Sequence, residues 1–353
     1  MSRFFSEKFN QLKPYTPGEQ PQDMKYIKLN TNESPFAPSP KAIRAAAEAA
    51  ERLQLYSDPE STALTQALAS LLGVSREQVV CGNGSDELLN FAFMAFCDER
   101  TPAAFADITY GFYRVFAQIN RVPYTIVPLR EDFSLAPEDY FGLGKTIFIA
   151  NPNAPTGRAL LHAEVEQILR ENPDHVVVID EAYVDFGGES CVPLVDKYEN
   201  LLVIQTFSKS RSLAGGRLGF AVGSRELIAD LRTIQYSTNP YNVNAMTMAA
   251  GLGVLADEEY TKQNCRTIME NREFTTQQLQ AMGFEVLDSK ANFVFARHPR
   301  TSGKQLYLGL KERGVLVRHF DAPRISDYIR ITIGKEEQMS AMILALADVL
   351  AKV

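Results

Sequence analysis

Histidine and cysteine are both scarce, with four of each in 353 residues. His162, His175, His298 and His319 fall at no H-E-x-x-H or other ligand spacing, which argues against a structural or catalytic metal. Cys81, Cys97, Cys191 and Cys265 lie far apart with no C-x-x-C pair. They read as reduced, mostly buried small residues of a cytosolic protein. Basic blocks are missing too, and the net charge is −7, so neither a nucleic-acid surface nor a polybasic membrane contact is expected. No uncharged apolar run is long enough to span a bilayer. The opening MSRFFSEKFN lacks the continuous apolar stretch of a signal peptide, so the expected location is the cytoplasm.

What the chain does have is a 45% hydrophobic content, enough for a large core in two domains or one elaborated domain. The first 40 residues are rich in Pro, Asn and Gln, which suggests an extended arm. A helix is expected over KAIRAAAEAAERL, with Pro40 at its start. Short apolar runs then alternate with amphipathic stretches. The runs are 78–82, 103–107, 123–129, 146–151, 175–181, 201–208 and 218–223, and most lack polar alternation. That is the look of strands covered on both faces, so the chain reads as an α/β protein with a mostly parallel sheet flanked by helices. Beyond about residue 255 a long charged helix and a β-α-β-α pattern suggest a smaller α+β domain, which the arm joins. The expected division is 1–34 for the arm, 35–255 for the large domain and 256–353 for the small one.

Ligands in such sheets sit beyond the carboxyl ends of the strands. Several runs end there in polar or glycine-rich text: CGNGSDE, ANPNAPTG, IDEAY and TFSKS. In the first, a strand enters a glycine turn at Gly84 and then a helix whose first turn holds Ser85 and Asp86, a place where free N–H groups bind anions. An ordinary capped βα turn explains the same text equally well. GLGKT (142–146) and GLGVLA (251–256) imitate phosphate motifs, but neither has the strand-to-helix context that such motifs need.

Asp180 closes an apolar run, and an ionised carboxylate buried there needs a partner. The following strand delivers Lys209, fenced by Thr206, Ser208 and Ser210, to the same sheet edge. A lysine whose pKa is lowered by burial or nearby positive charge becomes a nucleophile toward an aldehyde cofactor. Pyridoxal phosphate asks for a lysine, an acid at the ring nitrogen, a donor for the ring hydroxyl and a phosphate cradle. Lys209, Asp180 and Tyr183 supply the first three. Thr206, Ser208, Arg217 and the Ser85–Asp86 helix start can form the cradle, and Tyr110 can stack on the ring.

These residues carry a resemblance. The ordered set KPYTPG, LNTNESPF, YSDPES, GNGSDELL, NPNAPTG, DEAYVDF, TFSKSRSLAGGRLGF and YIRITIG resembles the fold-type-I, class II pyridoxal-phosphate-dependent aminotransferases, most closely the histidinol-phosphate aminotransferase family. The resemblance implies pyridoxal 5'-phosphate held on Lys209, with Asp180 at the pyridine nitrogen and Tyr183 at the ring hydroxyl. It implies Ser208 and Arg217 at the phosphate, and a homodimer with shared sites in which Tyr56 reaches the partner's phosphate. Arg330 would hold the substrate carboxylate, and Tyr15, Asn32 and Arg318 would complete the substrate site. One departure is visible: the family places Asn directly before Pro-Thr-Gly, where this chain has Ala154 preceded by Asn153. Either Asn153 takes the ring-hydroxyl contact, or Tyr183 carries it alone. The implied reaction is transamination of histidinol phosphate with 2-oxoglutarate in histidine biosynthesis. The alternatives are a threonine-phosphate decarboxylase, an aromatic amino-acid aminotransferase or, remotely, a non-catalytic cofactor-binding regulatory module.

Overall fold

The structure, a computed structural model, describes residues 2–10 and 12–352. Met1, Gln11 and Val353, which fall in the expected arm and small-domain ranges, lie outside the described residues.

Among the described residues of the arm a short 3-10 turn (Glu7–Phe9) precedes a two-residue strand, β1 (Ile27–Lys28). The first helix, α1 (Pro40–Ala50), starts as its sequence demands: Ser39 caps it by accepting from the Ala42 N–H, and Pro40 occupies the first helical position. After α2 (Thr62–Leu72) come the strands of the main sheet: β2 (Val79–Gly82), β3 (Ala103–Ala106), β4 (Tyr124–Val127), β5 (Thr146–Ala150), β6 (Val177–Asp180), β7 (Leu201–Thr206) and β8 (Gly219–Gly223). Their order is β2-β8-β7-β6-β5-β3-β4. The β4-β3-β5-β6-β7 run is parallel, whereas β8 lies antiparallel between β7 and β2. All seven apolar runs are therefore strands of one sheet. The 123–129 run differs from expectation in being an edge strand only partly covered, bounded by Pro123 and Pro128.

Alternate residues of the central strands feed two cores. Val177 and Ile179 enter one, with Ile147, Ile149 and Val203. Val178 enters the other, with Phe148, Leu202 and Tyr113. Helices cover both faces, among them α3 (Ser85–Phe96), α4 (Phe112–Ile119), α5 (His162–Arg170), α6 (Arg225–Thr238) and α7 (Ala245–Leu255). The GLGVLA text lies in α7, where its glycines serve packing. A Cβ on Gly253 would come within 2.6 Å of the Ala42 Cα of α1, so glycine is what lets the two helices touch backbone to backbone.

The remainder is built on the 24-residue α8 (Glu258–Ala281) and a second, antiparallel sheet. After β9 (Glu285–Val286), β10 (Phe293–Arg297), α9 (Gly303–Glu312), β11 (Val315–Leu316), β12 (Arg318–His319) and β13 (Tyr328–Thr332), the chain ends in α10 (Glu336–Leu350). The sheet order is β12-β13-β10-β9. The arm belongs to this part by pairing: β1 runs parallel to β11, and Leu29 is buried with Ile329, Ile331 and Ile333.

Candidate active site

The carboxyl ends of β5, β6 and β7 meet the α3 start around a cavity of about 80 Å³. Asp180, the last residue of β6, faces the same side of the sheet as Val178. It is 5% exposed, and its carboxylate accepts from the Tyr113 hydroxyl on α4 (3.0 Å) and the Ala182 N–H (3.2 Å). Burial pushes its pKa up to about 6; those two bonds oppose the shift, Asp86 adds to it and Lys209 opposes it. Tyr183 lies three residues on, its ring edge-on to Phe293 at 5.1 Å. Lys209 extends its Nζ to the Thr31 carbonyl of the arm (3.4 Å) and sits 5.8 Å from the centre of the Tyr183 ring.

At the other end of the cavity the backbone itself is shaped. Gly84 precedes α3 at φ +78°, and a Cβ there would meet the Arg217 Nη2 at 2.6 Å. A Cβ on Gly219 would meet the Ser85 nitrogen at 2.5 Å. Both glycines hold open a crevice of N–H groups facing a guanidinium. Arg217 is itself at φ +54°, a strained setting for a long side chain. It donates to Asp86 Oδ2 (3.1 Å) and Ser208 Oγ (3.4 Å). Thr206 and Ser208 bond each other (3.0 Å), and Tyr110 donates to Asp86 Oδ1 (2.7 Å). Gly84, Ser85, Asp86, Tyr110, Asp180, Tyr183, Thr206, Ser208, Lys209 and Arg217 are thus brought to one place.

Asn153, one of the two candidates for the ring-hydroxyl contact, does not line this cavity. Its amide is taken up by Thr109 Oγ1 (2.8 Å), Thr156 Oγ1 (2.9 Å) and the Ile108 carbonyl (3.0 Å), so it ties two loops together and lines a neighbouring cavity. Ala154 borders the site instead. Tyr56 is also absent from this chain's cavity: it is 84% exposed and stacked on Tyr241 at 4.6 Å.

Above the cavity the arm and the second sheet form the rim. Arg330 on β13 lies between Phe293 and Phe320 at 5.3 and 5.5 Å, donates one bond to the Asn30 carbonyl (2.9 Å), and has an Nε without a partner among the described residues. Burial lowers its pKa. Arg318 spends both terminal nitrogens on arm carbonyls, Thr16 at 3.0 Å and Pro17 at 3.1 Å. That anchor holds Tyr15, which stacks on Phe112 of α4 at 4.3 Å and closes one side of the mouth. Asn32 is 1% exposed and does not border the cavity; its amide donates to the Tyr183 hydroxyl (2.9 Å).

Tyr113 is a residue that sequence reasoning missed. It follows Tyr110 by three positions, the spacing that puts two side chains on one helix face, but nothing local separates it from an ordinary core aromatic.

A family model for aminotransferase class I and II matches residues 24–346. The chain belongs to that family. It is 51% identical over 350 residues to the histidinol-phosphate aminotransferase of Marinomonas sp. (strain MWYL1), with 98% of this chain and 99% of the relative covered. To histidinol-phosphate aminotransferase 1 of Bordetella parapertussis it is 50% identical over 353 residues, covering 99% of each. The crystal structure of the Sinorhizobium meliloti histidinol-phosphate aminotransferase in complex with pyridoxal-5'-phosphate matches with a TM-score of 0.84 over 92% of this chain and 91% of that one. Their identity is 23%, so that match speaks for the fold. In this aminotransferase the large α/β unit and the smaller sheet are therefore features of a shared architecture.

Proposed function

We propose that this aminotransferase holds pyridoxal 5'-phosphate in the Asp180–Lys209 cavity and transfers the amino group of histidinol phosphate to 2-oxoglutarate. The relatives at about half identity over full length support the substrate. The observation that carries the cofactor is the buried Asp180, bonded on each oxygen by a neutral donor and facing an open cavity with no cation bonded to it among the described residues. A carboxylate so placed suits a protonated ring nitrogen. The crevice formed by Gly84, Ser85 and Gly219, with Arg217, Thr206 and Ser208 around it, suits a phosphate. The residues present fit the group.

When bound, the cofactor ring takes up the electrons released as the substrate's α C–H bond breaks. Lys209 would hold the cofactor through its Nζ, and as a free amine the same group would carry a proton to and from the substrate α-carbon. Asp180, whose pKa burial pushes up to about 6, would face the ring nitrogen and, when ionised, would favour its protonated form. Arg330 keeps one terminal nitrogen on the Asn30 carbonyl and would offer the other, Nη1, to the substrate carboxylate, beside the Phe293 and Phe320 rings. Tyr15 and Arg318 stand at the mouth; each Arg318 terminal nitrogen gives one N–H to the arm and would turn its second toward the substrate phosphate, with the Tyr15 hydroxyl beside it. The working unit is a homodimer: Tyr56, Leu53, Leu55 and Tyr241 leave an apolar strip in water, and Tyr56 is free to reach a partner's cofactor phosphate.

The test is a panel of half-reactions that follows bound-cofactor absorbance with histidinol phosphate, phenylalanine, tyrosine and threonine phosphate. Fast conversion by histidinol phosphate, with 2-oxoglutarate restoring the starting spectrum, is expected. Carbon dioxide release from threonine phosphate, or equal rates with phenylalanine, would replace this assignment.

A further inference from the structure

Asn32 sits where the arm meets the second sheet, at φ +57°, a conformation asparagine tolerates better than most residues. Its hydrogen bonds fix which way the amide faces. The Asn32 backbone N–H donates to Thr332 Oγ1 (3.0 Å), so that hydroxyl must send its own proton elsewhere. It sends it to Asn32 Oδ1 (3.0 Å). The amide oxygen is thereby assigned to the Thr332 side and the amide nitrogen to the Tyr183 side, where Nδ2 donates to the Tyr183 hydroxyl oxygen at 2.9 Å. Asn292 locks the turn by donating to the Asn32 carbonyl (3.0 Å).

A hydroxyl that accepts on its oxygen still has a proton to give. Tyr183 donates to no other group among the described residues, and its ring borders the cavity. Beside it the cavity wall is Pro152, Ala154 and Ala182, none with a side-chain donor. Accepting from an amide also polarises the hydroxyl and strengthens it as a donor.

We propose that Asn32 is a positioning residue for the reaction: it aims the Tyr183 proton into the cavity, so that Tyr183 alone serves the ring hydroxyl of the cofactor in the absence of an asparagine at Ala154. The proposal rests on the cofactor reading given above. It gives Asn32 no contact with substrate. It also ties the cofactor's ring oxygen to β13 through Thr332, so the second sheet and the arm must be seated for Tyr183 to be aimed.

The experiment has two arms. In the first, apoprotein stability is measured for Asn32→Ala, Tyr183→Phe and the double variant. Coupling between the two sites is expected, and strict additivity would overturn the proposal. In the second, each apoprotein is titrated with pyridoxal 5'-phosphate and the bound cofactor's visible absorbance is followed across pH. Asn32→Asp keeps the shape but turns a donor into an acceptor that draws the Tyr183 proton to itself. A donor at the ring oxygen stabilises the form with more negative charge there, so losing it should raise the absorbance midpoint by about one pH unit and weaken cofactor binding about tenfold. In a Tyr183→Phe background neither change should occur. Thr332→Val, which releases the amide from its fixed orientation, should move the midpoint the same way by a smaller amount, and it serves if Asn32→Asp fails to fold. An equal shift in the Tyr183→Phe background, or an unchanged midpoint with only a raised KM for the amino donor, would overturn the proposal. Apoprotein coupling without any uptake of pyridoxal 5'-phosphate would support the Asn32–Tyr183 link and remove the cofactor reading instead.

Discussion

Replacing Tyr113 with Phe takes one oxygen from the buried side of the cavity and leaves the ring. That ring packs edge-on to Tyr110 at 5.7 Å and lies 5.8 and 5.9 Å from Phe105 and Phe148, contacts that a phenylalanine keeps. What disappears is the 3.0 Å bond to Asp180 Oδ2, leaving the carboxylate with the Ala182 N–H alone. A hydrogen bond to a charged group is worth about 1.5–3 kcal/mol, so the Asp180 pKa should climb by roughly one to two units from its value of about 6. Because the folded-state pKa is already above the unfolded one, the protonated acid favours folding. That contribution is complete below about pH 4 and fades as pH rises through 6. In the variant it fades to a lower floor, since ionised Asp180 is less well held. The stability gap between wild-type and Tyr113→Phe apoprotein should therefore widen with pH by about 1.5–3 kcal/mol between pH 4 and 8, as read from chemical denaturation. Affinity for pyridoxal 5'-phosphate near pH 7 should fall by about tenfold, because part of the variant's Asp180 is neutral there. A gap that stays constant across pH would mean that the hydroxyl does not hold the charged form, and the account of Asp180 would fail.

Borohydride reduction of the enzyme loaded with pyridoxal 5'-phosphate, followed by peptide mapping, should place the pyridoxyl group on Lys209; label on another lysine would end the mechanism. Mixing Lys209→Ala with Tyr56→Phe protomers should restore part of the activity that each lacks, since one site of the heterodimer then has both groups, and verified heterodimers without recovery would refute sharing. Arg318→Ala should lower kcat/KM for histidinol phosphate by about 2–4 kcal/mol and cost phenylalanine far less, because a charge-assisted phosphate contact is lost. It should also expose the Tyr15–Glu19 segment to limited proteolysis, given the loss of both bonds to Thr16 and Pro17; equal losses for the two substrates would show that Arg318 does not read phosphate.

The sheet was legible because its strands are buried on both faces, and such strands must be written as unbroken apolar text. Their polar endings then marked the site: Asp180, Ser208 and Lys209 stand where β6 and β7 stop. The direction of β8 was not legible, since a covered strand has the same composition whichever way it runs. Asn153 was left open for a related reason. An asparagine in a loop has equal use for cofactor and for backbone, and only the positions of Thr109 and Ile108 decide. Tyr113 stayed hidden, and Asn32 was expected at the substrate rather than at Tyr183, because their partners lie 67 and 151 positions away, a relation no local pattern expresses.

The arm's attachments also impose an order of assembly. Ile27 pairs with Val315, Asn30 accepts from Arg330, and Asn32 is bonded to Thr332, contacts that close loops of about 300 residues. On a ribosome the first thirty residues emerge long before any of these partners exists. The large sheet, with Asp180 and Lys209 already in its strands and loops, can form while the arm is still without a seat. Only when β11 and β13 have been made can residues 27–32 take these partners, so this side of the mouth waits on chain synthesised some 300 residues later.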